Sequence, residues 1–251
     1  MRAAPLGAPA AAEPKPAPPG QPEQPVAPVA PAAPAGLPES STHSTIEAAP
    51  ADPAPVAATD GSVVHPRQEV LVAAAPGGQP FARIGPEQIG PTWLPVIAEA
   101  PGWVRVLLPS RPNGSTGWLP DGELEWAVSP YQIRVHLASM RLELLADGRL
   151  VGQWPVGIGT DSAPTPTGRT FLLGSFRDEA QDYSPVILPL GAHSPTLDTF
   201  GGGPGTVAIH TWPTDDVFGT ASSDGCIRVP PEALDRLTEV PLGTLVWIDE
   251  Q

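Results

Sequence analysis

The sequence predicts a mainly β fold with one short helix, preceded by a disordered N-terminal tail. Three observations support this fold class. Residues 1–60 hold 15 of the 37 prolines, 18 alanines and no aromatic residue, so this stretch lacks the apolar surface that a core requires. From residue 61 onward, short β-type runs alternate with Gly, Pro, Asn and Asp turn signals. Only one stretch, residues 231–237, has clear helical spacing.

The tail is predicted to be a disordered Pro/Ala-rich linker over residues 1–60. Its Pro-Ala alternation, as in residues 14–19, favours extended polyproline II, which acts as a semi-rigid spacer. A spacer that tethers a domain and a tail without a role are equally compatible with this composition.

Residues 61–127 change character and are predicted to form a small β-barrel. Four short β-type runs occur here: 69–72, 93–97, 103–108 and 117–119. Their close spacing, with turn signals between them, favours a barrel. The stretch 93–125, with Gly-Trp pairs at 102–103 and 117–118, resembles the bacterial SH3-like family. That resemblance implies a wall-binding or packing module and no catalytic role.

Residues 131–251 are again mainly β. Five runs alternate or are continuously apolar: 132–137, 141–146, 149–154, 206–209 and 244–248. Asp147-Gly148, between the second and third of these, predicts a hairpin with a type I′ turn. Over residues 231–237 a helix is expected, because proline suits its first turn and two leucines three residues apart share a face.

Charge and cysteine content exclude several function classes. The net charge is −14, with 13 basic and 27 acidic residues, so no nucleic-acid partner is expected. The single cysteine excludes an internal disulfide, a zinc site with two Cys ligands and a Cys-only iron–sulfur site. No apolar stretch is long enough for a transmembrane segment, and no signal peptide is visible at the start of the sequence.

The chemistry of the chain is predicted to centre on Cys226. It lies in Ser-Ser-Asp-Gly-Cys-Ile-Arg (222–228), sixteen positions after His210, which ends an apolar strand. A Cys nucleophile needs a base or a cation within hydrogen-bond range, and a histidine at a strand end can supply one. On composition and spacing alone, a buried and inert thiol is the favoured interpretation, because free cysteines are commonly buried.

Several motifs over residues 131–249 resemble the YkuD-type L,D-transpeptidases, which cross-link peptidoglycan. These motifs are Pro-Val-Gly-Ile-Gly (155–159), Pro-Thr-Pro-Thr-Gly-Arg-Thr-Phe (164–171), Ile-His (209–210), Ser-Asp-Gly-Cys-Ile-Arg (223–228) and Gly-Thr-Leu-Val-Trp-Ile (243–248). They occur in the order and at the spacing of the family. The resemblance implies a catalytic β-sandwich in this half of the chain.

The resemblance also implies a role for each matching residue. Cys226 would be the nucleophile and His210 its base, with the backbone carbonyl of Thr211 orienting the imidazole. The backbone N–H groups of Asp224, Gly225 and Cys226 would stabilise the tetrahedral oxyanion.

By the same resemblance, Ser223 and Arg228 would contact substrate. The alternative role for Arg228 is to support the loop that carries Cys226. The sequence departs from the family at Asp224, where the family has His, and at Thr211, where it has Gly. A carboxylate beside the nucleophile is expected to raise the thiol pKa.

The implied reaction is acyl transfer in two steps. The thiol attacks the carbonyl at the L-centre of diaminopimelate in a tetrapeptide stem and releases D-Ala. An amine on a neighbouring stem then takes the acyl group, which gives a 3→3 cross-link. No metal or organic cofactor is implied. Carbapenem-type β-lactams are expected inhibitors, and the expected location is extracytoplasmic, in the cell wall or a periplasmic-like space.

Two alternatives stay open. One is a catalytically impaired wall-binding protein that retains the fold but has lost the chemistry through Asp224. The other is an L,D-carboxypeptidase that uses water as the acceptor. An amidase or a sortase-like transferase is disfavoured because the motif order matches neither class.

Overall fold

Residues 36–200 and 202–251 are described by a computed structural model, and short strands dominate it. The N-terminal strands are β1 (Ser62–Pro66), β2 (Val70–Ala73), β3 (Pro80–Ile84), β4 (Glu87–Gln88), β5 (Gly90–Pro91), β6 (Leu94–Ala100), β7 (Trp103–Leu107), β8 (Thr116–Pro120) and β9 (Leu124–Val128). The later strands are β10 (Tyr131–His136), β11 (Arg141–Ala146), β12 (Arg149–Pro155), β13 (Ile158–Gly159), β14 (Gly168–Phe171), β15 (Leu188–His193), β16 (Thr206–His210), β17 (Ala221–Ser223), β18 (Ile227–Arg228) and β19 (Leu245–Asp249). The helical elements are α1 (Pro231–Leu237) and two 3-10 turns, Asp121–Glu123 and Asp215–Val217.

The strands before residue 129 form one seven-stranded sheet in the order β3-β2-β8-β7-β6-β1-β9, with β4 and β5 as a separate pair. Its buried face carries the alternating apolar residues of these strands, among them Val64, Val72 and Ile84. The mainly β prediction for this region is confirmed, and the SH3-like assignment stays a prediction.

The later strands form a five-stranded sheet, β12-β11-β10-β19-β14, a three-stranded sheet, β15-β16-β18, and the pair β13–β17. A second core lies among them and includes Ile133, Leu144 and Val207, with Leu234 and Leu237 of α1. The fold class is therefore confirmed as mainly β with one short α-helix.

Two local predictions are confirmed in detail. The helix occupies residues 231–237 as expected, with proline at its start. Asp147 and Gly148 both have positive φ, +49° and +72°, as a type I′ turn requires. The turn brings Ala146 opposite Arg149 and so sets the pairing of β11 with β12.

The structure differs from the linker prediction at residues 36–60. Ser40, Thr42 and Ile46 are buried, and Asp52 forms an ion pair with Arg169 in which both side chains are at most 3% exposed. The physical reason is long-range pairing: this composition cannot build a core of its own, but it packs against a core made by later strands. The first 35 residues of the predicted linker lie outside the described residues.

The two cores also meet each other. Phe171 and Leu245, from β14 and β19 of the second part, pack in the core of the seven-stranded sheet. Arg169 of β14 donates to both Asp52 carboxylate oxygens and to the Ala57 carbonyl. Residues from 36 onward belong to one compact unit, and the boundary between a barrel and a catalytic domain stays a prediction.

Candidate active site

Two neighbouring strands bring the predicted cysteine and histidine to one face of a sheet. β16 and β18 pair in parallel, with His210 opposite Arg228. Cys226 precedes β18 by one residue, so the same register continues to Cys226 opposite Ala208. Side chains two residues apart on a strand point to the same side. Cys226, His210 and Arg228 therefore share a face, and all three line one pocket.

The turn that carries Cys226 is fixed by hydroxyl groups. Gly225 has a φ of +109°, which residues with a side chain rarely adopt. The Ser223 hydroxyl donates to the Cys226 carbonyl (2.6 Å) and accepts the Gly225 N–H (3.2 Å). From the other side, the buried Thr165 hydroxyl donates to the Gly225 carbonyl (2.9 Å) and accepts the Gly159 N–H (2.9 Å). The sequence motifs around 159, 165 and 223 thus act together to hold one turn.

The backbone N–H groups predicted as an oxyanion hole are not equivalent. The Gly225 N–H is engaged by the Ser223 hydroxyl, which corrects the expectation that it faces a substrate oxygen. The N–H groups of Asp224 and Cys226 donate to no acceptor within the part of the chain that the structure describes. Two of the three predicted donors therefore remain available for an oxyanion.

The His210 ring is held by its own neighbour. Its Nδ1 lies 2.7 Å from the Thr211 carbonyl oxygen, the contact that the family resemblance implies. Thr211 is itself anchored, because its N–H donates to the Ser184 hydroxyl (3.0 Å) and its own hydroxyl donates to the Tyr183 carbonyl (2.9 Å). A carbonyl only accepts hydrogen bonds, so Nδ1 carries the hydrogen and the neutral ring has its lone pair on Nε2.

Burial keeps His210 uncharged. The residue is 6% exposed, and this desolvation lowers its pKa to about 4, against the opposing effect of the Thr211 carbonyl. The nearby Arg228 cation lowers the pKa further. At neutral pH the imidazole is therefore a free base with an available lone pair.

The thiol of Cys226 is also uncharged at rest. Burial raises its pKa, while the Ala208 backbone N–H and the Arg228 cation lower it. Asp224 raises the thiol pKa too, as the sequence predicts, but it is the smallest of these influences, and its side chain is exposed. The pair is thus a neutral thiol and a neutral imidazole.

Aromatic side chains form one part of the pocket. Tyr183 lies against both His210 and Trp212, with ring centroids 5.0 and 5.4 Å away. The Arg228 guanidinium lies 3.7 Å from the centre of the Trp212 ring, a cation–π contact. These rings shield His210 from water and contribute to the burial that lowers its pKa.

Arg228 supports the loop, one of the two roles expected of it. Its Nη1 donates to the Ser222 carbonyl (3.1 Å) and hydroxyl (3.4 Å). No ion pair with Asp224 occurs within residues 36–200 and 202–251, so Asp224 is not neutralised by direct contact. The Arg228 Nε is buried without a hydrogen-bond partner in the described residues, and its contact with substrate stays a prediction, as does that of Ser223.

Sequence reasoning missed Tyr183, Trp212 and Thr165 as parts of the site. Trp212 follows His210 by two positions, so strand alternation was a usable signal. Thr165 stands in a motif that was recognised, but its bond to Gly225 joins residues 60 positions apart. Tyr183 follows an acidic stretch that reads as an exposed loop, and nothing in the sequence indicates its contact with the histidine.

Within the described residues, no group of three His, Cys, Asp or Glu side chains is arranged to hold a metal ion. None of the described helices has the length and apolar character needed to cross a membrane.

Comparison with known proteins points to the same half of the chain. Residues 130–248 match the family model of the L,D-transpeptidase catalytic domain, YkuD. YkuD of Bacillus subtilis (strain 168), described as a proposed L,D-transpeptidase, is 28% identical over 121 residues. That match covers 48% of this chain and 66% of the relative, so the chain spans slightly less than two thirds of its length.

Solved structures with similarity to the chain include a complex with a faropenem-derived adduct and a carbamoyl enzyme. L,D-transpeptidase 3 from Mycobacterium tuberculosis, in complex with a faropenem-derived adduct, is 14% identical with a TM-score of 0.43, over 62% of this chain and 93% of that one. The Ldtfm–avibactam carbamoyl enzyme is 21% identical with a TM-score of 0.38, over 49% of this chain and 50% of that one.

Proposed function

We propose that residues 130–248 are the catalytic domain of a peptidoglycan L,D-transpeptidase that works by cysteine acyl transfer. The observation that carries the proposal is that Cys226 and His210 line one pocket at the ends of two strands paired in register, with the Thr211 carbonyl holding the imidazole. The family match over the same residues supports it.

The neutral pair defines the first chemical step. As the Cys226 sulfur forms a bond to the stem carbonyl, its proton moves to Nε2 of His210, which Thr211 leaves free as the acceptor. The carbonyl oxygen takes the negative charge, and the N–H groups of Asp224 and Cys226 stabilise it. Because both groups start uncharged, the proton transfer accompanies the attack and no resting ion pair is required.

The second half of the reaction returns the proton. The His210 imidazolium donates to the departing amine of D-Ala as the carbon–nitrogen bond breaks, which leaves a thioester on Cys226. An acceptor amine then attacks the thioester and gives its proton to His210. Breakdown of this second tetrahedral species releases the cross-linked product, and the proton returns to the sulfur. Water in place of the amine would give hydrolysis.

The proposed substrates are peptidoglycan stem peptides, and the proposed location is extracytoplasmic, at the cell wall or in a periplasmic-like space. The proposed inhibitors are carbapenem-type β-lactams, whose strained amide the same thiol would open. The SH3-like module is proposed to bind the wall or to pack on the catalytic domain.

Intact-mass measurement after incubation with imipenem tests the proposal. We expect one covalent adduct on the wild-type protein, none on Cys226→Ala and acylation at least about 100-fold slower in His210→Gln, the usual minimum for losing a general base. His136→Gln is the matched control, because His136 bonds Asp249 away from the pocket; it should react as the wild type does. Absence of an adduct on the folded wild type would reject the proposal in favour of a wall-binding protein.

The acceptor is tested separately with a disaccharide tetrapeptide and a D-amino acid. Exchange of the terminal D-Ala for the added amino acid supports transpeptidation, whereas a tripeptide product alone supports the L,D-carboxypeptidase alternative.

A further inference from the structure

One wall of the pocket is a loop that joins β15 to β16, described over residues 194–200 and 202–205 and called the wall loop below. Ser194, Leu197, Phe200 and Gly205 of this loop line the pocket that holds Cys226. The Ser194 N–H donates to the Gly205 carbonyl (2.9 Å), which closes the base of the loop. At the tip, Phe200 is 51% exposed, so little packing fixes this end from within.

Arg111, from the connection between β7 and β8 in the N-terminal part, holds both arms of the wall loop. Its Nη2 donates to the Pro204 carbonyl (2.7 Å) on one arm and to the Leu197 and Asp198 carbonyls (3.4 and 3.5 Å) on the other. No carboxylate pairs with Arg111 among the described residues. The wall-loop carbonyls are therefore the partners of the guanidinium charge. Hydrogen bonds from a charged donor are stronger than those between neutral groups.

The backbone of Arg111 is itself fixed, so the side chain starts from a defined position. Its N–H donates to the Ser44 carbonyl (2.9 Å), and its carbonyl accepts the Ile46 N–H (2.9 Å). Ile46 is 3% exposed in the core of the seven-stranded sheet. Arg111 therefore connects the two regions: its backbone is bonded to a segment packed in the core, and its side chain is bonded to the wall loop.

Two further contacts hold the ends of the wall loop. The Asn113 side-chain amide makes two hydrogen bonds with the backbone of His193: it donates to the carbonyl (2.7 Å) and accepts from the N–H (2.8 Å). Thr42 bonds the His193 ring through its carbonyl (2.8 Å) and contacts the Thr206 hydroxyl. The strands on either side of the loop are therefore held by the N-terminal part as well.

We propose that Arg111 is a positioning residue that sets the substrate-side wall of the Cys226 pocket and so determines how tightly an acyl donor binds. The inference rests on the proposed function. Arg111 contacts neither Cys226 nor His210, so its effect falls on the binding step and leaves the thiol–imidazole chemistry intact. In this role, the N-terminal part of the chain contributes to donor recognition without touching the reacting atoms.

The side chain offers a discriminating set of variants. All three hydrogen bonds come from the single nitrogen Nη2. A lysine ammonium can take the place of this nitrogen, so Arg111→Lys should still hold the wall loop. Arg111→Met removes the donor but keeps an unbranched apolar stem at this position. Arg105→Met is the matched control, because Arg105 also makes three side-chain bonds, to Thr116 and Ala51 inside the N-terminal part, and contacts no wall-loop residue.

The test measures imipenem acylation and amide hydrogen exchange on the full chain. For Arg111→Met we expect KI to rise about tenfold and the maximal acylation rate to stay within about twofold, since one charge-assisted donor is lost. Exchange at residues 194–200 should accelerate, Arg111→Lys should restore both values, and Arg105→Met should match the wild type. If Arg111→Met does not fold, Arg111→Leu, which also lacks a donor, replaces it.

The inference would be overturned if Arg111→Met had the same KI as the wild type and the same rate of amide hydrogen exchange at residues 194–200. If the wild type itself is not acylated, the proposed function fails. The exchange data still decide whether Arg111 holds the wall loop in place. Protection lost in Arg111→Met and kept in Arg111→Lys supports it, and protection unchanged in both overturns it.

Discussion

Lowering the pH from 7 to 5 should destabilise the protein through two buried histidines. His193 and His210 are 1% and 6% exposed, and burial lowers the pKa of each to about 4. In the unfolded chain the pKa is near 6.5. Between pH 6.5 and pH 4 the unfolded state therefore binds protons that the folded state does not, so stability falls as the pH falls through this window and levels off below it.

The size of the effect follows from the two pKa values. At pH 5 the unfolded histidine is almost fully protonated while the folded one is about nine-tenths neutral, which corresponds to about 2 kcal/mol for each histidine. Urea unfolding followed by tryptophan fluorescence at the two pH values measures the loss. His193→Gln removes one of the two groups, so its loss should be about 2 kcal/mol smaller than that of the wild type. Equal losses in the two proteins would refute the reasoning.

Three further outcomes are expected. The second-order rate of imipenem acylation should be level from about pH 5.5 to 7.5 and fall about tenfold per unit below pH 4, where His210 becomes charged; a tenfold rise per unit across neutral pH would indicate attack by a solvent-generated thiolate. Thr165→Val should lower the free energy of unfolding by about 2–3 kcal/mol and slow acylation, because it leaves the Gly159 N–H and the Gly225 carbonyl unpaired. Thr165→Ser should restore both values, and failure to do so in urea unfolding and acylation assays would contradict the role of the hydroxyl. Asp224→Asn should change the acylation rate by no more than about twofold, because the carboxylate is exposed and is the weakest influence on the thiol; a tenfold change would contradict this ranking.

Local patterns were readable from the sequence because their causes are local. The helix at 231–237 depends on a proline, an acidic residue and two leucines within seven positions. The turn at Asp147-Gly148 needs only two residues that tolerate positive φ. The contact between His210 and Thr211 also joins adjacent residues, but it was expected from the family resemblance and not from a local pattern.

Features that depend on distant partners were not readable. The segment around Asp52 resembles a linker by composition, but its ion pair with Arg169, 117 positions away, and the bond from its N–H to the Gly114 carbonyl give it a fixed place. The engagement of the Gly225 N–H by Ser223 depends on a side-chain rotamer that the motif does not specify. Arg111 carried no signal, because its partners are backbone carbonyls about 90 positions later.

The most direct test of the central claim is the mass of the protein quenched during turnover of a disaccharide tetrapeptide. The account predicts a transient species heavier by the stem minus D-Ala, located by peptide mapping to Cys226 and absent from Cys226→Ala. Release of D-Ala without any such species, or with the adduct on another residue, would contradict it.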